Sequence, residues 1–144
     1  MSWGVNSCRL ISVPRVQRDT SDLVFMEQLR HVPFEIKRVY FLTNFDTSCS
    51  HAHHAHKRLE QVYICVKGTV DVVIQDATNT KTITLDDSSE GLYIGNMVWR
   101  HIKPHTSDTV LLVLASQPYD ESDYYRNFDQ YETDVAKYHQ AEFE

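Results

Sequence analysis

This chain predicts an all-β fold, a sandwich or barrel of short strands with a short helical tail. Three observations carry that expectation. Short runs rich in β-branched and aromatic residues recur between turn signals. Only four glycines and four prolines occur, with no linker, repeat or low-complexity stretch to break the chain into parts. Beyond Pro118 the composition turns acidic, tyrosine-rich and poor in strand formers.

Residues 1–34 read as an N-terminal arm with the first strands, in which 22–30 is either a short helix or irregular. The barrel is expected over 35–117. Residues 35–42 (EIKRVYFL) mix charged, β-branched and aromatic side chains as a half-buried strand does, and 44–50 form a polar loop. Residues 61–67 are strand-like, Gly68 is a turn, and 69–74 return as the next strand. A second turn at 76–79 leads into 81–85, which alternate with period two. Two short strands, 91–94 and 98–102, flank Gly95-Asn96, and 109–116 are apolar enough to be a central strand. Residues 118–144 form the tail, helical over 120–140. With strands this short and this numerous, a closed or doubled sheet is the expected way of covering the edges.

At 144 residues, 42% hydrophobic and 24% charged, the chain is long enough for one core without staples. A net charge of −6 supplies no basic footprint for a nucleic acid polymer. The longest apolar runs, 62–66 and 110–115, are too short to span a bilayer. Three scattered cysteines and the lack of an apolar N-terminal signal fit a cytoplasmic setting with free thiols.

The densest chemistry is at His51-Ala-His-His-Ala-His-Lys57, where four of the eight histidines fall within six residues. Histidine is the side chain that normally titrates near neutral pH and the commonest metal ligand, so proton transfer and metal binding both compete for the segment. Residues two apart on a strand share a face about 6.6–6.8 Å apart, so His54 and His56 can act from one wall. His51 and His53 read either as loop residues without a role or as further donors that keep a metal site open.

His54-Ala-His56 resembles the H-x-H of the cupins, a class of β-barrel whose first motif continues with a carboxylate and a glycine. Counting back from Gly68, Gln61 stands at the carboxylate position, whereas Glu60 satisfies only the spacing from the histidines. The second cupin motif ends in W-H; here it reads Gly95-Asn-Met-Val-Trp-Arg100, with His101 one residue late. A one-residue shift on a strand reverses the face unless a bulge intervenes. Two imidazoles, an amide and a cation do not make a divalent metal site, which needs three or four converging donors. No metal and no cofactor are expected.

Within the cupins, the chain resembles the nucleotide-sugar 3,4-ketoisomerases, which act on dTDP-4-oxo-6-deoxy-glucose. The resemblance lies in His54-Ala-His-Lys57 with Gln61, in residues 32–41, 91–94, 97–99 and 110–116, and in Tyr119-Asp-Glu-Ser-Asp-Tyr124. It departs at His51-Ala52-His53, where the family has R-G-x, and at residues 19–23, which lack an expected arginine and glycine. The resemblance implies a jelly-roll barrel, migration of a ketone from carbon 4 to carbon 3 through an enediol, and His54 and His56 as the catalytic pair. Two imidazoles with pKa values near working pH suit such proton shuttling.

Tyr40 is the candidate for polarising a substrate oxygen. Arg38, whose planar fork suits phosphate oxygens, is a candidate for the diphosphate. Lys57, Gln61, Trp99, Arg100 and His101 are the remaining candidate substrate contacts, Trp99 having a core anchor as its other reading. The 119–124 segment either caps and docks the tail helix or closes the nucleotide site. The implied partners are a dTDP-linked 4-keto-6-deoxy sugar and a second copy of the chain, with exchanged N-terminal strands as one form of the homodimer. The competing classes are a metal-dependent, dioxygenase-like cupin, a sugar-nucleotide epimerase and a non-catalytic sugar-nucleotide binding module.

Overall fold

The computed structural model describes residues 4–143, with side chains described through residue 138. In chain order the strands are β1 (Arg9–Ser12), β2 (Arg15–Gln17), β3 (Asp22–Val24), β4 (Arg38–Leu42), β5 (His51–His56), β6 (Gln61–Lys67), β7 (Val70–Gln75), β8 (Thr80–Leu85), β9 (Glu90–Ile94), β10 (Trp99–Pro104), β11 (Val110–Ala115) and β12 (Tyr124–Tyr125), followed by the helix α1 (Phe128–Phe143). Two five-stranded antiparallel sheets, ordered β1-β9-β6-β11-β4 and β12-β5-β10-β7-β8, form the double-sheet jelly roll, and β2-β3 is a separate hairpin.

The core explains why some strands read as unbroken apolar runs. Tyr63 and Cys65 of β6 point between the sheets, against Val70, Val72 and Ile74 of β7 and Ile102 of β10. Val62 and Ile64 point the other way, beneath Val13, Val32 and Phe34 of the N-terminal arm. A strand covered on both faces has no polar side to show. On the second sheet, Ala55 and Trp99 face outward under Tyr131 and Val135 of α1. The Tyr131 hydroxyl accepts the Trp99 N–H at 3.3 Å and sits 3.0 Å from the carbonyls of Gln75 and Met97.

One expectation needs correction, and one open alternative is resolved. Residues 120–127 are not helical. Asp120 caps a 3-10 turn at Glu121–Asp123 by accepting the Ser122 N–H, and β12 then pairs with β5 through Tyr124↔His56. The helix begins only at Phe128. Residues 22–30 contain no helix; they hold β3 and an irregular stretch closed by a bridge between Gln28 and Val32. No helix among the described residues is long and apolar enough to cross a membrane.

Gly68 turns the chain from β6 to β7 with φ +80°, and a Cβ there would lie 2.6 Å from Thr109 Oγ1 and 3.1 Å from its Cα. Gly68→Ala therefore combines left-handed strain with a clash, and should lower the urea-unfolding free energy by about 1–3 kcal/mol. An unchanged midpoint would contradict this account of the turn.

Candidate active site

The site lies where residues of β4, the edge strand of the first sheet, and of β5 in the second line a cavity of about 620 Å³. Strand β4 presents Arg38 and Tyr40 to it, β5 presents His51 and His54, and the segment after the 3-10 turn adds Tyr124 and Arg126.

Parity along β5 is decided by a bulge. His54 pairs with Arg100 of β10 and His51 with Ile102, so β5 carries one more residue than its partner in that interval. Ala52 absorbs it with φ +61°. His51 consequently lines the same cavity as His54, while His53 turns to the outer face of the sheet and stacks on His101, ring centroids 4.9 Å apart. His51 is held by its Nε2, 2.7 Å from the Asp46 carbonyl oxygen.

Strand β10 keeps its own regular alternation, so the motif 99–101 splits between faces. Arg100 points inward and is completely buried. Trp99 points outward and packs edge-on against Phe128 of α1, as a core anchor rather than a cavity wall. His101 also points outward, into a separate surface cleft with Asp71 and Lys103. Lys57 is exposed and rests its ammonium 5.2 Å from the Tyr125 ring centroid, away from the cavity. Of the expected substrate contacts, Trp99, His101 and Lys57 are therefore not brought to the site, and the reason in each case is strand or loop direction.

Behind Tyr40 runs a directed chain of hydrogen bonds. Arg100 Nη1 donates to Gln61 Oε1 at 2.5 Å, and Gln61 Nε2 donates to the Tyr40 hydroxyl oxygen at 3.0 Å. A guanidinium only donates, so the amide must offer its oxygen to Arg100 and its NH₂ to Tyr40. The Tyr40 O–H is left to donate into the cavity. Burial pushes its pKa well up, which keeps it a neutral donor. Gln61 and Arg100 are sealed beneath this chain and reach an occupant of the cavity only through Tyr40. Glu60, the other residue near the cupin carboxylate spacing, turns away and accepts the Tyr93 hydroxyl.

His54 and His56 meet edge to face with centroids 4.8 Å apart. His54 lines the cavity, whereas His56 is completely buried and does not; Nε2 of both rings and Nδ1 of His56 lack a hydrogen-bond partner. Burial, followed by the positive charge of Arg100, holds His54 down to about 3 and His56 further below its ordinary value, so each ring is neutral at working pH and neither titrates near it, contrary to the expectation from the sequence. A buried polar atom without a partner is rare enough to demand a reason, and an acceptor awaiting a proton is one. Arg38 adds two more buried donors without partners, Nε and Nη2, beside Tyr40 and Tyr119. The inward donor set of two imidazoles, an amide and a guanidinium does not fit a divalent cation, because Arg100 both fails to ligate and repels it.

Sequence reasoning left three residues here without an individual role. Tyr124 lies over both histidines, with centroids 5.3 Å from His54 and 4.3 Å from His56. Arg126 covers the Tyr124 ring at 4.1 Å and is gripped by both oxygens of Glu121. Asp123, nearly fully buried, places Oδ2 3.3 Å from His56 Nδ1. The 119–124 motif was the available signal, but pairing of 124–125 with β5 is a long-range contact that local composition does not report.

With this geometry, residues 6–136 match the family model described as FdtA: WxcM-like, C-terminal. A TDP-4-oxo-6-deoxy-alpha-D-glucose-3,4-oxoisomerase of Aneurinibacillus thermoaerophilus is 38% identical over 129 residues, covering 90% of this chain and 93% of that protein. The chain belongs to the FdtA family. Among solved structures, this FdtA-family chain is similar to QdtA, a sugar 3,4-ketoisomerase from Thermoanaerobacterium thermosaccharolyticum in complex with TDP. That match has a TM-score of 0.89 and 41% identity over 92% of this chain and 97% of the other. It is also similar to the WlaRB TDP-quinovose 3,4-ketoisomerase of Campylobacter jejuni, with a TM-score of 0.85 and 37% identity over 90% and 99% of the two chains.

The depressed histidines in this family member have a thermodynamic consequence. Unfolded, His54 takes up its proton near 6.5, whereas folded it resists down to about 3. The unfolded state then binds more protons across that window, so stability is full above about pH 7 and is lost as pH falls toward about 3. His54→Asn should flatten this fall, measured as the urea midpoint against pH. An identical slope in both proteins would refute the buried-neutral assignment.

Proposed function

We propose that this chain is a sugar-nucleotide 3,4-ketoisomerase, moving the ketone of a dTDP-linked 4-keto-6-deoxy-hexose from carbon 4 to carbon 3. The observation that carries the reading is the pair of buried, neutral imidazoles with unpartnered Nε2 atoms, set beside a hydroxyl donor. The names of the similar proteins, oxoisomerase and 3,4-ketoisomerase, support the reaction class and the TDP-sugar substrate. A histidine-to-asparagine variant of QdtA was solved with TDP-4-keto-6-deoxyglucose, a substrate of the same description.

The chemistry needs four proton movements and no net redox change. The proton on carbon 3, acidified by the neighbouring carbonyl, leaves to one imidazole, and oxygen 4 gains a proton to give the enediol. Oxygen 3 then loses its proton, and carbon 4 gains one from an imidazolium. Tyr40 donates to the oxygen that develops negative charge, backed by Gln61 and the buried charge of Arg100. Preorganised donors in a site shielded from water are the strongest form of such stabilisation. Arg38, with two buried and unpartnered donors at the cavity, takes the diphosphate. The setting is cytoplasmic deoxysugar biosynthesis, feeding polysaccharide assembly.

Incubation with dTDP-4-keto-6-deoxy-glucose in deuterated water, with chelator present, tests the reaction. Carbonyl migration with label at carbon 4 is expected; inversion of a stereocentre without migration, or dependence on added metal, would sink it. His54→Asn and His56→Asn should each lower kcat on the order of 10²-fold or more while TDP affinity persists.

The working form is a homodimer. Among the described residues strand β4 is a sheet edge paired only with β11, and its Val39 and Phe41 are 56% and 65% exposed. An unpaired edge with large apolar side chains is normally covered. Strand β1 pairs with β9 of its own chain, and this is the pairing that an exchange of N-terminal strands would transfer. Sedimentation velocity should give a dimer for the wild type and a monomer for Val39→Lys/Phe41→Lys; a monomeric wild type would refute the assembly.

A further inference from the structure

Asp123 sits in the 3-10 turn that precedes β12, and is only 2% exposed. Its Oδ1 accepts the Arg58 N–H at 2.9 Å and its Oδ2 the Leu59 N–H at 3.2 Å, while its carbonyl accepts the Lys57 N–H at 2.8 Å. The three residues that leave β5 thus all donate to one residue, two of them to its side chain and one to its backbone carbonyl. Arg58 Nε also lies 3.6 Å from Oδ1. This carboxylate then offers its remaining acceptor capacity to a single buried group, His56 Nδ1, at 3.3 Å.

We propose that Asp123 is the positioning residue that fixes the tautomer of His56, holding the proton on Nδ1 and leaving the lone pair on Nε2. The inference rests on the isomerase reading for its catalytic meaning, but not for the tautomer itself. A neutral imidazole has one N–H and one acceptor, and the second group at the ring decides which nitrogen carries which. A carboxylate oxygen with N–H donors already on it is an acceptor, so the nitrogen facing it keeps the hydrogen. At 3.3 Å Nδ1 and Oδ2 are close but do not meet hydrogen-bond geometry, so their proximity and the carboxylate's being an acceptor carry the assignment.

The neighbouring ring reaches the same tautomer by another route. His54 makes a backbone hydrogen bond with Ala52, the residue whose left-handed conformation creates the β5 bulge, and its Nε2 is the atom left unpartnered. Both histidines therefore present the same acceptor, one set by a carbonyl and the other by a carboxylate. The difference matters after proton transfer. When His56 takes a proton on Nε2 it becomes an imidazolium, and the carboxylate behind it, unlike a carbonyl, offsets the full charge. Tyr124, next in sequence, closes over the same ring, so one short segment both orients and shields His56.

The test uses the full chain labelled with ¹⁵N-histidine, with His56 assigned by difference from His56→Asn. Long-range ¹⁵N–¹H correlation at neutral pH should report the Nδ1–H tautomer in the wild type, and Nε2–H there would overturn the proposal without any variant. In Asp123→Asn, an amide NH₂ facing the ring should convert it to Nε2–H. In the isomerase assay kcat should then fall on the order of 10²–10⁴-fold with KM and TDP affinity little changed, and Asp123→Glu should recover part of the loss. Wild-type tautomer and kcat in Asp123→Asn would overturn the assignment. Should the wild type lack isomerase activity altogether, the functional reading fails while the tautomer measurement still decides the role of Asp123.

Discussion

Arg100 is completely buried, and the hydrogen bonds it donates go to the Gln61 amide oxygen and the Val98 carbonyl rather than to a carboxylate. A guanidinium taken out of water without a counter-charge is costly, and structures retain such groups where they serve another purpose. Here the charge lies directly across the β5–β10 ladder from His54. It is the second cause, after burial, of the depressed pKa of both histidines. The same guanidinium orients Gln61, and through Gln61 it frees the Tyr40 O–H. A directed hydroxyl and hostility to a divalent cation follow from that one buried cation, which adds to burial in keeping the imidazoles neutral.

Placement of these groups depends on a contrast between two adjacent strands. Strand β10 alternates without interruption, so Arg100 is inside while Trp99 and His101 are outside. Strand β5 carries the bulge at Ala52, so His51 and His54 both face the cavity although they are three residues apart. A bulge on β10 instead would have exchanged Arg100 for His101 and assembled something closer to a metal site. The outward Trp99 is then available to seat α1, which ties the tail to the strand that bears Arg100.

The covering segments do more than shield apolar faces. The N-terminal arm buries one side of the first sheet and leaves β4 as its exposed edge, next to the cavity. At the other end, residues 119–126 lay Tyr124 over the histidines and bring Asp123 behind His56, before the helix starts. The cavity wall is thus built from residues 38–54 together with Tyr124 and Arg126 from near the other end of the chain, which is why no single segment of sequence looks like the site.

Sequence by itself determined the all-β class and most strand positions, and it singled out His54 and His56 as a pair, Tyr40 on a strand, and Gln61 and Arg100 at the places where metal donors would stand. These are legible because strand period, turn residues and short motif spacings are local properties. Only the tertiary structure decided the faces of His51, His53 and His101, because one bulged residue reverses every side chain beyond it. It likewise decided that 120–127 would turn and pair with β5 rather than continue as helix, since the Tyr124↔His56 pairing and the buried Asp123 carboxylate draw on partners more than sixty residues away. Local propensity has no access to such contacts, and it is they that complete the surroundings of His56.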